Sequence, residues 1–258
     1  MTAAGAPPDD FRLRARRNPL HLAVSGSLWR SVWFLMVYVF ATGWLLFAAA
    51  LAASVTAAAF AVTIAGLPLL TAAAGVVRGC ANVERARLSA MFTRPVRGQY
   101  RPVTEKGVVA QATTRWKDRA TWRELAYLIG LWPALLILDT VVFTVWLVFL
   151  AGITVPIWYW APESTFSHGV TAHGVPFGDY PSGPHGAGAH GFYVDTLPKA
   201  LLAAAACLIL FLLFNYVVVA TARAHARVAR ALLRPPADPL AAVKDVLAHP
   251  GPLQSLTP

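Results

Sequence analysis

Charge is what this sequence has least of. Only 13% of its 258 residues are Asp, Glu, Lys or Arg, about half the share of roughly 25% usual in soluble domains. No charged residue lies in 31–77 or in 200–222, and Asp139 is the one exception in 125–162. Crossing a bilayer takes about 20 apolar residues, so the first run is long enough for two crossings and each of the others for one. A soluble protein is excluded. Cysteine is nearly as scarce: Cys80 and Cys207 alone cannot build a disulfide framework, and both read as packing residues. Catalytic signatures are missing too. There is no HExxH, P-loop or GxSxG motif and no pair of intramembrane carboxylates, so no enzymatic activity is expected.

The charge that is present is lopsided. The net value is +10, and the basic residues fall in three clusters. Five precede the first apolar run, eleven lie in 78–123 and five in 223–244, which leaves Lys199 alone on the other side. The positive-inside bias then gives four spans with both termini in the cytoplasm of a multi-pass cell-membrane protein. The same charge favours contact with anionic lipid head groups. Nucleic acid is not an expected partner, because no folded basic domain exists to carry it. Residues 1–20 are polar and Pro-containing, without the order of a signal peptide, and read as a disordered basic cytoplasmic arm.

Landmarks recur along the chain. Trp29-Arg30 opens the first apolar run and Trp122-Arg123 the second. Arg78 and Arg85 stand seven residues apart, as do Arg223 and Arg230, and Arg-Pro follows in both places. Seven residues are two helical turns, so each arginine pair shares a face. The expected fold is therefore an all-α membrane protein: four transmembrane helices built as two duplicated hairpins, each followed by a basic amphipathic cytoplasmic helix. Both copies start and end inside, which makes them parallel repeats. The expected divisions are the arm 1–20, a first repeat 21–98, a cytoplasmic linker 99–119, a second repeat 120–235 and a cytoplasmic tail 236–258. A tight outer turn is expected near 53–58, and a long His- and Gly-rich extracytoplasmic loop at 161–197.

The Trp-Arg openings, AGLPLL (65–70), the R-x6-R step, ATWRELAYL (120–128), PIWYW (156–160) and FYVDTLPKAL (192–201) together resemble the actinobacterial "putative sensor" membrane domain family. The resemblance covers most of the chain, 18–235. It implies a helical membrane domain with a sensory role, of a kind usually placed before a membrane histidine kinase. Only a short Pro-rich stretch follows Arg234, so the expectation is a stand-alone chain that signals through a separate partner. That partner would be a histidine kinase or another signalling or transport protein, and a homo-oligomer is compatible with the sequence.

Three sets of residues stand out as candidate sites. Asp139 is a carboxylate within an apolar run, a functional candidate by default. Counted from Glu124, it lies about 22 Å up its helix, in the outer half of the bilayer. Asn215 enters from the other direction and is too far away to pair with it. Lys199, able to snorkel inward, is its expected partner. Arg78, Arg85, Arg223 and Arg230 are expected to contact lipid phosphates or a partner, as equivalents. His168, His173, His185 and His190 lie in two copies of H-G-x-x-A-H-G. Imidazoles suit Zn, Cu or Ni, yet no carboxylate is spaced to orient them, and the glycines read as a plain connector without a cofactor. A membrane sensor is the leading function, and a transport or metal-handling protein is the alternative.

Overall fold

The computed structural model describes residues 11–12, 18–63, 66–96, 98, 100, 107–166, 171–184 and 186–234. The elements run α1 (Pro19–Ala23), α2 (Gly26–Val37), a π-helical turn (Tyr38–Thr42), α3 (Gly43–Ala59) and α4 (Gly66–Leu88). They continue with α5 (Val108–Lys117), α6 (Arg119–Leu125), a second π-helical turn (Ala126–Gly130), α7 (Trp132–Ile153) and α8 (Val155–Trp158). Strands β1 (Glu163–Thr165), β2 (Thr171–His173), β3 (Val175–Asp179) and β4 (His190–Val194) precede α9 (Leu197–Leu233).

Four helices are long and apolar enough to cross a membrane: Gly26–Ala59, which joins α2 and α3 through the first π turn, then α4, α7 and α9. Two rods start from similar caps. The Ser25 side chain accepts from Leu28 N, and the Asp118 carboxylate accepts from Ala120 N, which satisfies amides that lack a partner at a helix start. The basic segments behave differently from expectation. Arg78, Arg85, Arg223 and Arg230 sit within the last turns of α4 and α9, not on separate amphipathic helices. With 37 residues, α9 is about 55 Å long, well beyond a hydrocarbon core of about 30 Å.

The connections also differ from the sequence reading. The Ala-rich stretch 53–58 stays helical, as expected of the best helix former, and the chain turns at 60–63. There Thr63 donates from both its amide and its hydroxyl to the Phe60 carbonyl. Gly66 is required at the restart because any Cβ would collide with that same carbonyl. The expected plain connector carries two antiparallel hairpins, β1–β2 and β3–β4. Gly178 faces Gly191 across the second; with φ of 145° and 140°, both use backbone open mainly to glycine. At Phe11 the expected disordered arm gives way: the residue bridges to Phe92, with ring centroids 4.5 Å apart.

Ring contacts fix the direction of packing. Trp29 meets Trp146, Phe40 meets Phe143, and Trp44 and Phe47 both meet Trp132. Rising numbers on one rod meet falling numbers on the other, so α2–α3 runs antiparallel to α7. The expected parallel relation of the two halves is overturned, because aromatic packing between the rods decides their direction and charge counting does not see it. One apolar core spans both halves, with Phe34, Leu35 and Tyr38 packed among Val77, Leu88, Tyr127, Trp146 and Ala222.

Candidate functional site, a buried ionic junction

Asp139 is fully buried, and its partner is His225: Asp139 Oδ2 lies 2.6 Å from His225 Nδ1. The other imidazole nitrogen, Nε2, is 3.1 Å from both Arg87 Nη2 and the Tyr127 hydroxyl. Tyr127 donates its proton to Glu84 Oε1 at 2.5 Å. Arg87 forms a two-pronged ion pair with Glu84 and donates to the Phe34 carbonyl at 2.8 Å. Aromatic rings close the cage. Phe34 and Tyr38 stand edge-on to His225, and the Arg87 guanidinium lies 3.7 Å from the centre of the Phe34 ring. Residues from α2, α4, α7, α9 and both π turns thus build one cluster. A π turn shifts the side chains beyond it relative to an α-helix, and such turns are frequent at functional sites; here Tyr38 and Tyr127 sit in them.

The cluster has two consistent protonation patterns. Arginine only donates, so the Arg87 contact needs an unprotonated Nε2, with the imidazole proton on Nδ1 and donated to Asp139. Alternatively, a charged His225 donates from Nε2 to the Tyr127 oxygen, whose own proton is committed to Glu84. In the charged pattern two cations face two carboxylates. In the neutral one a carboxylate is left over, and Asp139 Oδ1 is buried without a hydrogen-bond partner. His225 Nε2 can thus engage either Arg87 or Tyr127.

A second network joins the basic helix ends. Arg85 donates to Glu124 Oε1 at 2.5 Å, to Asn82 and the Tyr100 hydroxyl at 2.7 Å, and to the Leu233 carbonyl at 3.1 and 3.2 Å. It thereby caps the C-terminus of α9, where the helix dipole favours a cation. The Tyr100 hydroxyl donates to Glu124 at 2.7 Å. Burial, then this bond and the Glu124 charge, push its pKa up to about 12. Arg78 bridges to Asp118 at 3.2 Å and lies over Tyr100. Arg227 and Arg230 lie over Phe11 and Phe92.

Several sequence expectations change here. Lys199 pairs with Asp195 at 2.7 Å, not with Asp139; it stands about 39 Å before His225 on α9 at ~1.5 Å per residue. Asp139 lies level with the basic end of α9, where His225 stands. Asn215 accepts from Trp146 Nε1 at 2.9 Å and does not meet Asp139. Arg85 is buried inside the protein and does not face lipid. His173 in β2 pairs across to Glu163, and His190 in β4 to Asp179, while His168 and His185 lie outside the described residues. Among the described residues no group of three or more His, Cys, Asp or Glu side chains could hold a metal ion.

Sequence reasoning missed Glu84, Arg87, Tyr127, Glu124 and His225. One signal was available. In the two R-x6-R segments, Cys80 of the first corresponds to His225 of the second, an ionisable residue where the copy has an apolar one.

The architecture is that of a helical membrane protein with an ionic core. The family model described as "Putative sensor" matches residues 34–233, and the chain belongs to that family. No curated protein and no solved structure matches.

Proposed function

We propose that this chain is a non-enzymatic membrane sensor that receives a bilayer or external signal and passes it to a separate partner through its basic helix ends. The observation that carries the reading is the Asp139–His225 pair, closed by Glu84, Arg87 and Tyr127. Buried ionic groups are seldom retained for stability alone, and this set joins helices from both halves. A change in its protonation biases how those halves pack. An internal duplication would fit the reading: α2–α3 spans 34 residues and α6–α7 35, and α4 and α9 stop at Leu88 and Leu233, the same distance after their paired arginines. The test is a distance measurement between spin labels at Val62 and Trp160, in a chain lacking Cys80 and Cys207, reconstituted in bilayers. The expected shift between pH 5 and 8 disappears in Asp139→Asn and in His225→Gln. A distance unmoved by pH sinks the proposal.

Orientation is proposed on two grounds. Phe11 on Phe92, with Arg227 and Arg230 over those rings, gathers the N-terminal arm and the ends of α4 and α9 at one basic junction. The excess of Lys and Arg assigns that junction to the cytoplasm. Charge counting would also put the turn at 60–63 outside, whereas Ser54, Ala57 and Ala58 lie beside Trp122; the proposal follows the packing. A cysteine at Val62 should then be labelled from the same side as one at Lys117, and one at Ala187 from the other. Labelling of Val62 together with Ala187 would restore the parallel order.

A further inference from the structure

Between the two halves lies a cavity of about 550 Å³, within the range of roughly 300–1,000 Å³ that holds small ligands. Its walls come from α3, the start of α4, α5, α6 and the second π turn. Trp116 and Trp122 stand edge to face at 5.9 Å, and both indole N–H groups are already committed, to the Leu70 and Trp116 carbonyls. They present only carbon to the space. The one polar atom without a partner there is Ser54 Oγ, buried at the wall. A ligand with polar groups along its length has nothing to bond. An alkyl chain carrying a single acceptor does fit.

We infer that this cavity takes one acyl chain of an anionic phospholipid from the surrounding bilayer, with an ester carbonyl accepting from Ser54 and the phosphate at the basic rim. Lys117 and Arg119, exposed, lie in the chain between the wall residues Trp116 and Trp122, and the carboxylate between them, Asp118, is occupied by Arg78. In the register of the duplication, Leu147, Leu150, Trp33 and Val37 stand where the cavity has Ser54, Ala57, Ala126 and Gly130, and Trp29 packs on Trp146. Small residues line the first site, whereas Trp33, Leu147 and Leu150 at the matching positions are exposed. The inference deepens the bilayer-signal reading above, since a chain lodged between the halves biases their packing.

The test uses full-length protein in phosphatidylcholine vesicles doped with phosphatidylglycerol that carries a photoreactive diazirine on its acyl chain. Labelling should concentrate on peptides containing Ser54–Ala58 and Trp122–Gly130 and be competed by plain phosphatidylglycerol. Ala57→Leu with Gly130→Val, copying the larger residues at the matching positions, should cut it by at least about tenfold, as expected when several methylenes lose their place. Lys117→Glu with Arg119→Glu should remove the preference for phosphatidylglycerol over phosphatidylcholine while leaving the melting temperature unchanged. Labelling spread evenly over lipid-facing Leu147 and the cavity, or unaltered by either variant, overturns the site and leaves ordinary surface lipid. Because the readout is covalent labelling and not signalling, it also separates this inference from the sensor reading: a labelled Asp139→Asn protein without a pH response would keep the site and lose the function.

Discussion

The α3–α4 hairpin and the α7–α9 hairpin share sequence landmarks but differ in length, and they carry opposite halves of one ionic cluster. Asp139 and His225 of the second stand where the first has Leu46 and Cys80. Glu84 and Arg87 of the first stand where the second has Ala229 and Leu232. Each hairpin carries its own pair, Arg87–Glu84 on the first and Asp139–His225 on the second, and His225 Nε2 and the Tyr127 hydroxyl join the two. An unpaired buried charge is far more costly than a paired one.

The largest effect should come from opening the cluster on the first hairpin. Glu84→Ala leaves Arg87 buried without its carboxylate and should destabilise the protein by about 3–5 kcal/mol, read as a fall in the melting temperature in detergent. A loss below about 1 kcal/mol would mean that the Arg87–Glu84 pair is solvated in practice.

Next, the second hairpin can be converted toward the first. Asp139→Leu or His225→Cys alone should each cost about 3 kcal/mol by stranding its partner. The double variant copies the Leu46 and Cys80 of the first half, and should cost about 1 kcal/mol or less. Strict additivity in this double-mutant cycle would show that the two residues are not coupled.

A smaller contrast concerns the paired arginines. Arg85 is hydrogen-bonded to Glu124, Tyr100, Asn82 and the Leu233 carbonyl, whereas its counterpart Arg230 rests over Phe92 at 4.5 Å. Arg85→Ala should cost about 2–3 kcal/mol, and Arg230→Ala about 1 kcal/mol, the scale of a cation over an aromatic ring. Equal losses would favour the equivalence read from the sequence.

The smallest effect is one of pH. Tyr100 is an acid whose folded value is raised, to about 12 from the usual 10. The neutral phenol is favoured by folding, so its contribution is fully present below pH ~10 and is lost as pH rises through about 12. Tyr100→Phe should flatten the alkaline limb of the stability curve. An unchanged slope would show that Tyr100 does not titrate with unfolding.

Much of this molecule was legible without coordinates. Long uncharged runs announced the four apolar helices, because a bilayer accepts little else. Composition also marked Asp139 as unusual, and the recurrence of Trp-Arg and R-x6-R marked the matching helix ends. Its partner could not be read. His225 lies 86 residues from Asp139 in a segment that looked cytoplasmic, and only the antiparallel register of α7 and α9 brings the two level. Glu84 and Arg87 form an i to i+3 pair, which on a helix usually faces water; their burial, and that of Glu124, depends on which helix covers them. The sequence by itself determined what must leave water, through hydrophobicity, which is local and additive. The tertiary structure alone decided which way the hairpins face and which charges meet, because ring packing and ion pairing depend on distances between segments remote along the chain.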